Sequence, residues 1–124
     1  MTEQEGMFRT SDGVELFTRT WSAREPRYEV LLVHGLGEHS GRWAEPMTHL
    51  TDRGAVVYTY DLRGHGRSSG DRTDVTSFDR FYDDISEMAA ATVAASGRPW
   101  VLYGHSLGGL QATGYLVSGR DPQP

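Results

Sequence analysis

Cysteine is absent from the 124 residues, which excludes disulfides, thiolate metal sites and thiol catalysis. Lysine is absent too, and all 12 basic side chains are arginine. That removes a phosphate-loop lysine and any Schiff-base mechanism. Asparagine is missing, and isoleucine occurs once, as Ile85. No apolar run approaches the ~18 residues of a membrane span, so no transmembrane segment is expected. The N-terminal MTEQEGMF lacks the basic and apolar regions of an export signal, which makes the cytoplasm the expected compartment. A net charge of −5 argues against a nucleic-acid partner, whose recognition usually needs a basic face.

What is present fits one soluble globular domain with a modest core: 37% hydrophobic and 23% charged residues. Met7–Arg9 and Val14–Trp21 flank the turn sequence Ser11-Asp12-Gly13 and predict an opening antiparallel hairpin. Tyr28–His34 and Ala55–Tyr60 are continuous apolar runs of the kind buried on both faces of a sheet. Between them the spacing of Trp43, Met47 and Leu50 predicts a helix over Arg42–Asp52, with Gly54 at its C-terminal end. A loop over 62–75 precedes a long helix, Phe78–Ala95, and Gly97-Arg98-Pro99 turns the chain into a strand at Trp100–Tyr103. A final helix follows at Leu107–Val117. Strands alternating with helices after a hairpin predict an α/β architecture with a mostly parallel sheet.

Residues 104–108 read Gly-His-Ser-Leu-Gly between the last strand and the last helix, the setting of a nucleophile elbow. In such a turn Ser106 projects clear of the sheet, the small residues two before and two after let backbone pass close by, and the helix start faces developing negative charge. Three Gly-rich segments follow three consecutive strands: HGLGEHSG at 34–41, DLRGHGRSSG at 61–70, and the elbow. In an open parallel sheet they share the carboxyl edge, where ligands bind. Acyl transfer needs two backbone N–H donors beside the nucleophile. Leu107, directly after it, supplies one, and Leu36, flanked by Gly35 and Gly37, is placed for the other.

HGLGEHSGRW, DLRGHGRSSG and GHSLGG, in this order, resemble the monoacylglycerol lipase and lysophospholipase group of α/β-hydrolases, of the serine aminopeptidase S33 type. FYDDISEMAA is similar to that group's helix before the elbow strand. The resemblance runs from about Met7 to the end and implies the N-terminal half of one α/β-hydrolase domain spanning 1–124. It implies Ser106 as nucleophile and Leu36 and Leu107 N–H as the oxyanion hole. A catalytic Asp, a catalytic His and a cap segment are then expected beyond Pro124. The implied substrate is a lipid-like carboxylic ester, with no cofactor.

Within the chain, Asp121 is the one acid after Ser106 and no histidine follows it. His105 is read as structural or pocket-lining, because adjacent residues in an elbow point apart. His34 is read as a strand-ending structural residue or one that orients the oxyanion loop. His39 is read as either near the acyl site or a loop hydrogen-bonder, His65 as holding its own loop, and His49 as solvated. A metal site from His34, His39 and His65 lacks a ligand spacing, so no metal is expected. Glu38 and Arg42 are spaced to pair, and Arg63 and Arg67 are expected to brace their loop through Asp61 and Asp71. Two other functional classes remain. One is a truncated, catalytically inactive hydrolase fragment. The other is a dinucleotide-binding oxidoreductase, suggested by strand, Gly35-x-Gly37, helix and a strand ending in Asp61, though the glycine spacing departs from that fingerprint.

Overall fold

The computed structural model describes residues 1–72, 74 and 76–124, so Thr73 and Val75, at the end of the expected 62–75 loop, lie outside the described residues. Its strands are β1 (Thr2–Arg9), β2 (Glu15–Ser22), β3 (Tyr28–Val33), β4 (Ala55–Tyr60) and β5 (Trp100–Gly104), and its α-helices are α1 (Ala44–Thr51), α2 (Phe78–Ala91) and α3 (Leu107–Val117). They form one sheet in the order β1-β2-β4-β3-β5. The hairpin β1–β2 is antiparallel and joins β4 antiparallel, whereas β4, β3 and β5 run parallel. The result is a mixed sheet, antiparallel at the hairpin, with the parallel part where the apolar runs predicted it.

Strand β3 lies at the centre of the parallel group, which explains its unbroken YEVLLV. Successive side chains of a strand point to opposite faces. Val30 and Leu32 pack with Trp21, Met47 and Val57 beneath α1. Leu31 and Val33 pack with Tyr60, Phe81, Ile85 and Tyr115 beneath α2 and α3. Burying a side chain of this size contributes about 1.5–3 kcal/mol, so both faces hold the strand in register.

Several boundaries differ from the sequence reading. The hairpin begins at Thr2 rather than Met7, because backbone pairing continues through the polar Glu3, Gln4 and Glu5. The single helix expected over Arg42–Asp52 is a tight 3-10 turn, Ser40–Trp43, followed by α1. Helix α2 stops at Ala91, four residues early, where Thr92 leaves helical geometry and its hydroxyl donates to Met88 O at 2.6 Å. The α2–α3 contact is close at Gly114, where an added Cβ would collide with the Tyr82 ring.

Among the described residues β5 pairs on one side only, with β3. Val101 and Tyr103 are 48% and 39% exposed, and Leu116 and Val117 of α3 are 48% and 82% exposed. Tyr115, by contrast, is fully buried in the core.

Candidate active site

The elbow is built by the end of β5. Val33 pairs with Gly104, and His105 N–H still donates to Val33 O at 3.1 Å, so the chain is held in the sheet up to His105. It must then reverse into α3 within one residue. Ser106 makes the reversal at φ 55°, ψ −118°, and is the one non-glycine residue with positive φ among those described. Such a conformation costs on the order of 1–3 kcal/mol and persists only where the surroundings enforce it. They do: a Cβ at Gly104 would lie 2.6 Å from Gly109 Cα, and one at Gly108 would run into the Val33 and His34 carbonyl oxygens. The two glycines of the motif are therefore steric requirements, and Ser106 is left exposed at the rim.

Facing it is the loop after β3. A methyl group at Gly35 would sit 3.2 Å from both His105 O and Ser106 Cβ, so the loop runs in contact with the elbow. Gly35 C=O and Leu36 N–H belong to one planar trans peptide and point in opposite directions. Whatever holds Gly35 O therefore aims Leu36 N–H. Two donors do so: Glu38 N–H at 3.2 Å and the His34 ring at 2.7 Å. His34 is fully buried, and its Nε2 accepts Leu62 N–H at 3.0 Å, which leaves the proton on Nδ1 to donate to Gly35 O. Burial lowers the His34 pKa and keeps the ring neutral. Both ring nitrogens are thus occupied, Nδ1 on the loop after β3 and Nε2 on Leu62 after β4, which fits the loop-orienting role, one of the two read for it. Among the described residues neither Leu36 N–H nor Leu107 N–H has a protein acceptor.

The loop after β4 locks this arrangement from behind. The Asp61 carboxylate accepts Ser40 N–H at 2.6 Å and Arg67 N–H at 2.9 Å. Burial pushes its pKa up, but the Arg67 and Ser40 hydrogen bonds outweigh that and hold it below the ordinary value. With both oxygens taken and the residue buried, Asp61 is not free to bind a ribose, and the dinucleotide reading loses its acidic ligand. His65 is buried, bonds Arg63 O through Nδ1 at 3.1 Å, and packs edge-on to His34 at 5.4 Å between centroids.

The arginines brace the loop, but not through the partners expected. Arg63 clamps Asp84 of α2, with both contacts at 2.7 Å, and reaches Asp12 of the hairpin turn at 2.9 Å. Arg67 lies over the Phe17 ring at 4.9 Å and 3.7 Å from Glu5. What Asp61 accepts from Arg67 is its backbone N–H, not its guanidinium.

His39 is exposed, and among the described residues its ring makes no hydrogen bond, although its carbonyl accepts Arg42 N–H at 3.3 Å. His105 is exposed, and its Nδ1 lies 2.9 Å from Glu38 Oε2. Glu38 Oε1 accepts Trp43 Nε1–H at 3.1 Å, and the Trp43 ring packs edge-on to His105 at 5.1 Å. The expected Glu38–Arg42 pair exists only at 3.9 Å. Sequence reasoning missed the Glu38–His105–Trp43 cluster; its one available signal was the acid beside the oxyanion loop.

Comparison with known proteins agrees with this geometry. The family model described as serine aminopeptidase, S33, matches residues 24–123. The chain is 37% identical over 104 residues to human monoglyceride lipase, covering 82% of this chain and 34% of that protein. It is 38% identical over 125 residues to an abhydrolase domain-containing protein of Dictyostelium discoideum, covering all of this chain and 13% of that one. A solved structure of Saccharomyces cerevisiae monoglyceride lipase with a substrate analogue superposes with a TM-score of 0.78 at 27% identity, over 96% of this chain and 40% of that one. The chain thus spans well under half the length of these relatives, and it matches the monoglyceride lipases in their N-terminal part. It belongs to the serine aminopeptidase S33 family and carries the N-terminal part of an α/β-hydrolase fold.

Proposed function

We propose that this chain supplies the nucleophile half of a serine ester hydrolase acting on lipid-like carboxylic esters of the monoacylglycerol or lysophospholipid type. The observation that carries the reading is Ser106. It stands exposed at positive φ between two sterically required glycines, beside two amides that lack protein acceptors. Its Oγ would attack the ester carbonyl while a base takes its proton. The carbonyl oxygen, now anionic, would be held by Leu36 and Leu107 N–H. Collapse would expel the alcohol and leave the acyl group on Ser106, and water would then release the acid. The relatives' names favour a glyceride ester, and no helix of the described residues is long and apolar enough to cross a membrane.

The base is proposed to come from residues beyond this chain. Among the described residues no histidine bonds Ser106 Oγ: His34 has both nitrogens engaged, and His105 is turned to Glu38. This supports the second reading, that the 124 residues alone turn over slowly or not at all. The test compares p-nitrophenyl butyrate hydrolysis by the complete gene product, by this chain, and by Ser106→Ala in each. The expected result is Ser106-dependent turnover by the complete product and a chain hardly better than its Ser106→Ala control. A fully active Ser106→Ala complete product would sink the assignment.

A further inference from the structure

We propose that Glu38 is a positioning residue, a wedge that sets the gap between the loop offering Leu36 N–H and the turn carrying Ser106 and Leu107. The inference rests on the reading of Ser106 as nucleophile and of those two amides as oxyanion donors. The Glu38 side chain is only 9% exposed. Its oxygens are held from two other segments: His105 of the elbow at 2.9 Å and Trp43, just before α1, at 3.1 Å. Burial acts to raise the Glu38 pKa, but the Trp43 and His105 contacts prevail and hold it below the ordinary value, so the group stays a carboxylate.

What this anion does for the site follows from Gly35. A methyl group placed there would lie 2.6 Å from Glu38 Oε2 and 3.2 Å from both His105 O and Ser106 Cβ. The Glu38 carboxylate and the elbow therefore close together on the space that a side chain at Gly35 would fill, so the carboxylate packs where the loop meets the Ser106 turn. Glu38 N–H also bonds Gly35 O, so its backbone shares with His34 the tilt of the Gly35–Leu36 peptide, while its side chain ties that loop to the elbow. Without the wedge, the loop loses its only side-chain hydrogen bond to the elbow among the described residues.

Oxyanion donors act on charge that develops only in the transition state, so misplacing one lowers kcat more than it raises KM. A merely structural strut would not divide the two constants in this way. In the complete gene product, Glu38→Ala is expected to lower kcat for p-nitrophenyl butyrate about tenfold or more, with KM within about twofold. Glu38→Gln keeps the length and an acceptor oxygen and should restore most of the loss. If Glu38→Ala fails to fold, His105→Ala breaks the same contact from the elbow side and should give the same division. Unchanged kcat, or Gln no better than Ala, would overturn the inference.

A second arm needs no turnover. In the 124-residue chain, Glu38→Ala should move the amide resonances of both Leu36 and Leu107, and Glu38→Gln should move them far less. An unmoved Leu107 amide in a cooperatively folded Glu38→Ala chain would also overturn it. Ser106→Ala, run alongside, separates the two ideas. If it leaves turnover intact, the hydrolase reading fails and the amide arm alone decides the role of Glu38.

Discussion

Gly108 and Gly109 are neighbours of the same type with different work to do. A methyl group at Gly108 meets the backbone oxygens of Val33 and His34, which cannot yield, whereas at Gly109 the nearest atom is Gly104 O at 3.3 Å. Gly108→Ala should therefore cost about 1–3 kcal/mol or more in urea unfolding, and Gly109→Ala well under that. His34 carries a pH prediction. Its pKa is lowered by burial in the fold, against an ordinary 6.5. Below pH 6.5 the unfolded chain binds the proton first, so stability is present above that pH and is lost as pH falls below it. The urea midpoint should drop between pH 7.5 and 5.5, and His34→Gln should flatten that drop. Equal slopes in the two proteins would show that His34 is not the cause. At this scale the elbow was legible because the reversal itself demands small residues: Gly104 meets Gly108 and Gly109 of its own turn, although what Gly108 meets lies at the end of β3. The Glu38–His105 contact was not: the partners are 67 residues apart, and no periodicity links them.

The elements are tied by polar struts as well as by apolar faces. Arg63 joins the loop after β4 to α2 and to the hairpin turn, and its partner Asp84 is almost fully buried. Removing the guanidinium strands that carboxylate, so Arg63→Ala should destabilise by about 3–5 kcal/mol, whereas replacing both partners, as in Arg63→Met with Asp84→Leu, should cost much less. Thermal or urea melts of the two variants decide it; equal losses would refute a buried-charge origin. The order of elements was readable from apolar runs and turn residues, since β3, β4 and β5 are short, continuous and bounded by glycine or proline. Helix ends were less readable. Ala94 and Ala95 have high helix propensity, but Thr92 turns its backbone out of the helix and caps Met88 O with its own hydroxyl. Likewise Ser40–Trp43 tightens to a 3-10 turn, with Ser40 N–H drawn to Asp61, a partner 21 residues away that local propensity cannot register.

For the whole molecule, the open side of β5 is the dominant surface feature. An unpaired strand edge beside exposed Val101, Leu116 and Val117 is a template for another chain. The isolated 124 residues should associate with rising concentration in sedimentation velocity, and Val101→Lys with Val117→Lys should suppress it. A monodisperse monomer at all concentrations would show the edge to be harmless. The sequence marked β5 as a strand by its apolar run, but it carried no sign of which face α3 would cover, so the full burial of Tyr115 could not be read from it. One peptide at the end of β3 governs everything near Ser106. Val33 O receives His105 N–H, Gly108 packs on that same oxygen, and the Gly35–Leu36 loop departs one residue later. The tolerance of this chain for gaps should accordingly be uneven. A residue gained or lost between Val30 and Glu38 slides the loop past the serine and breaks both at once. The exposed turn at Ala94–Arg98, which precedes β5 while that junction lies at the strand's other end, should accept several extra residues without disturbing either.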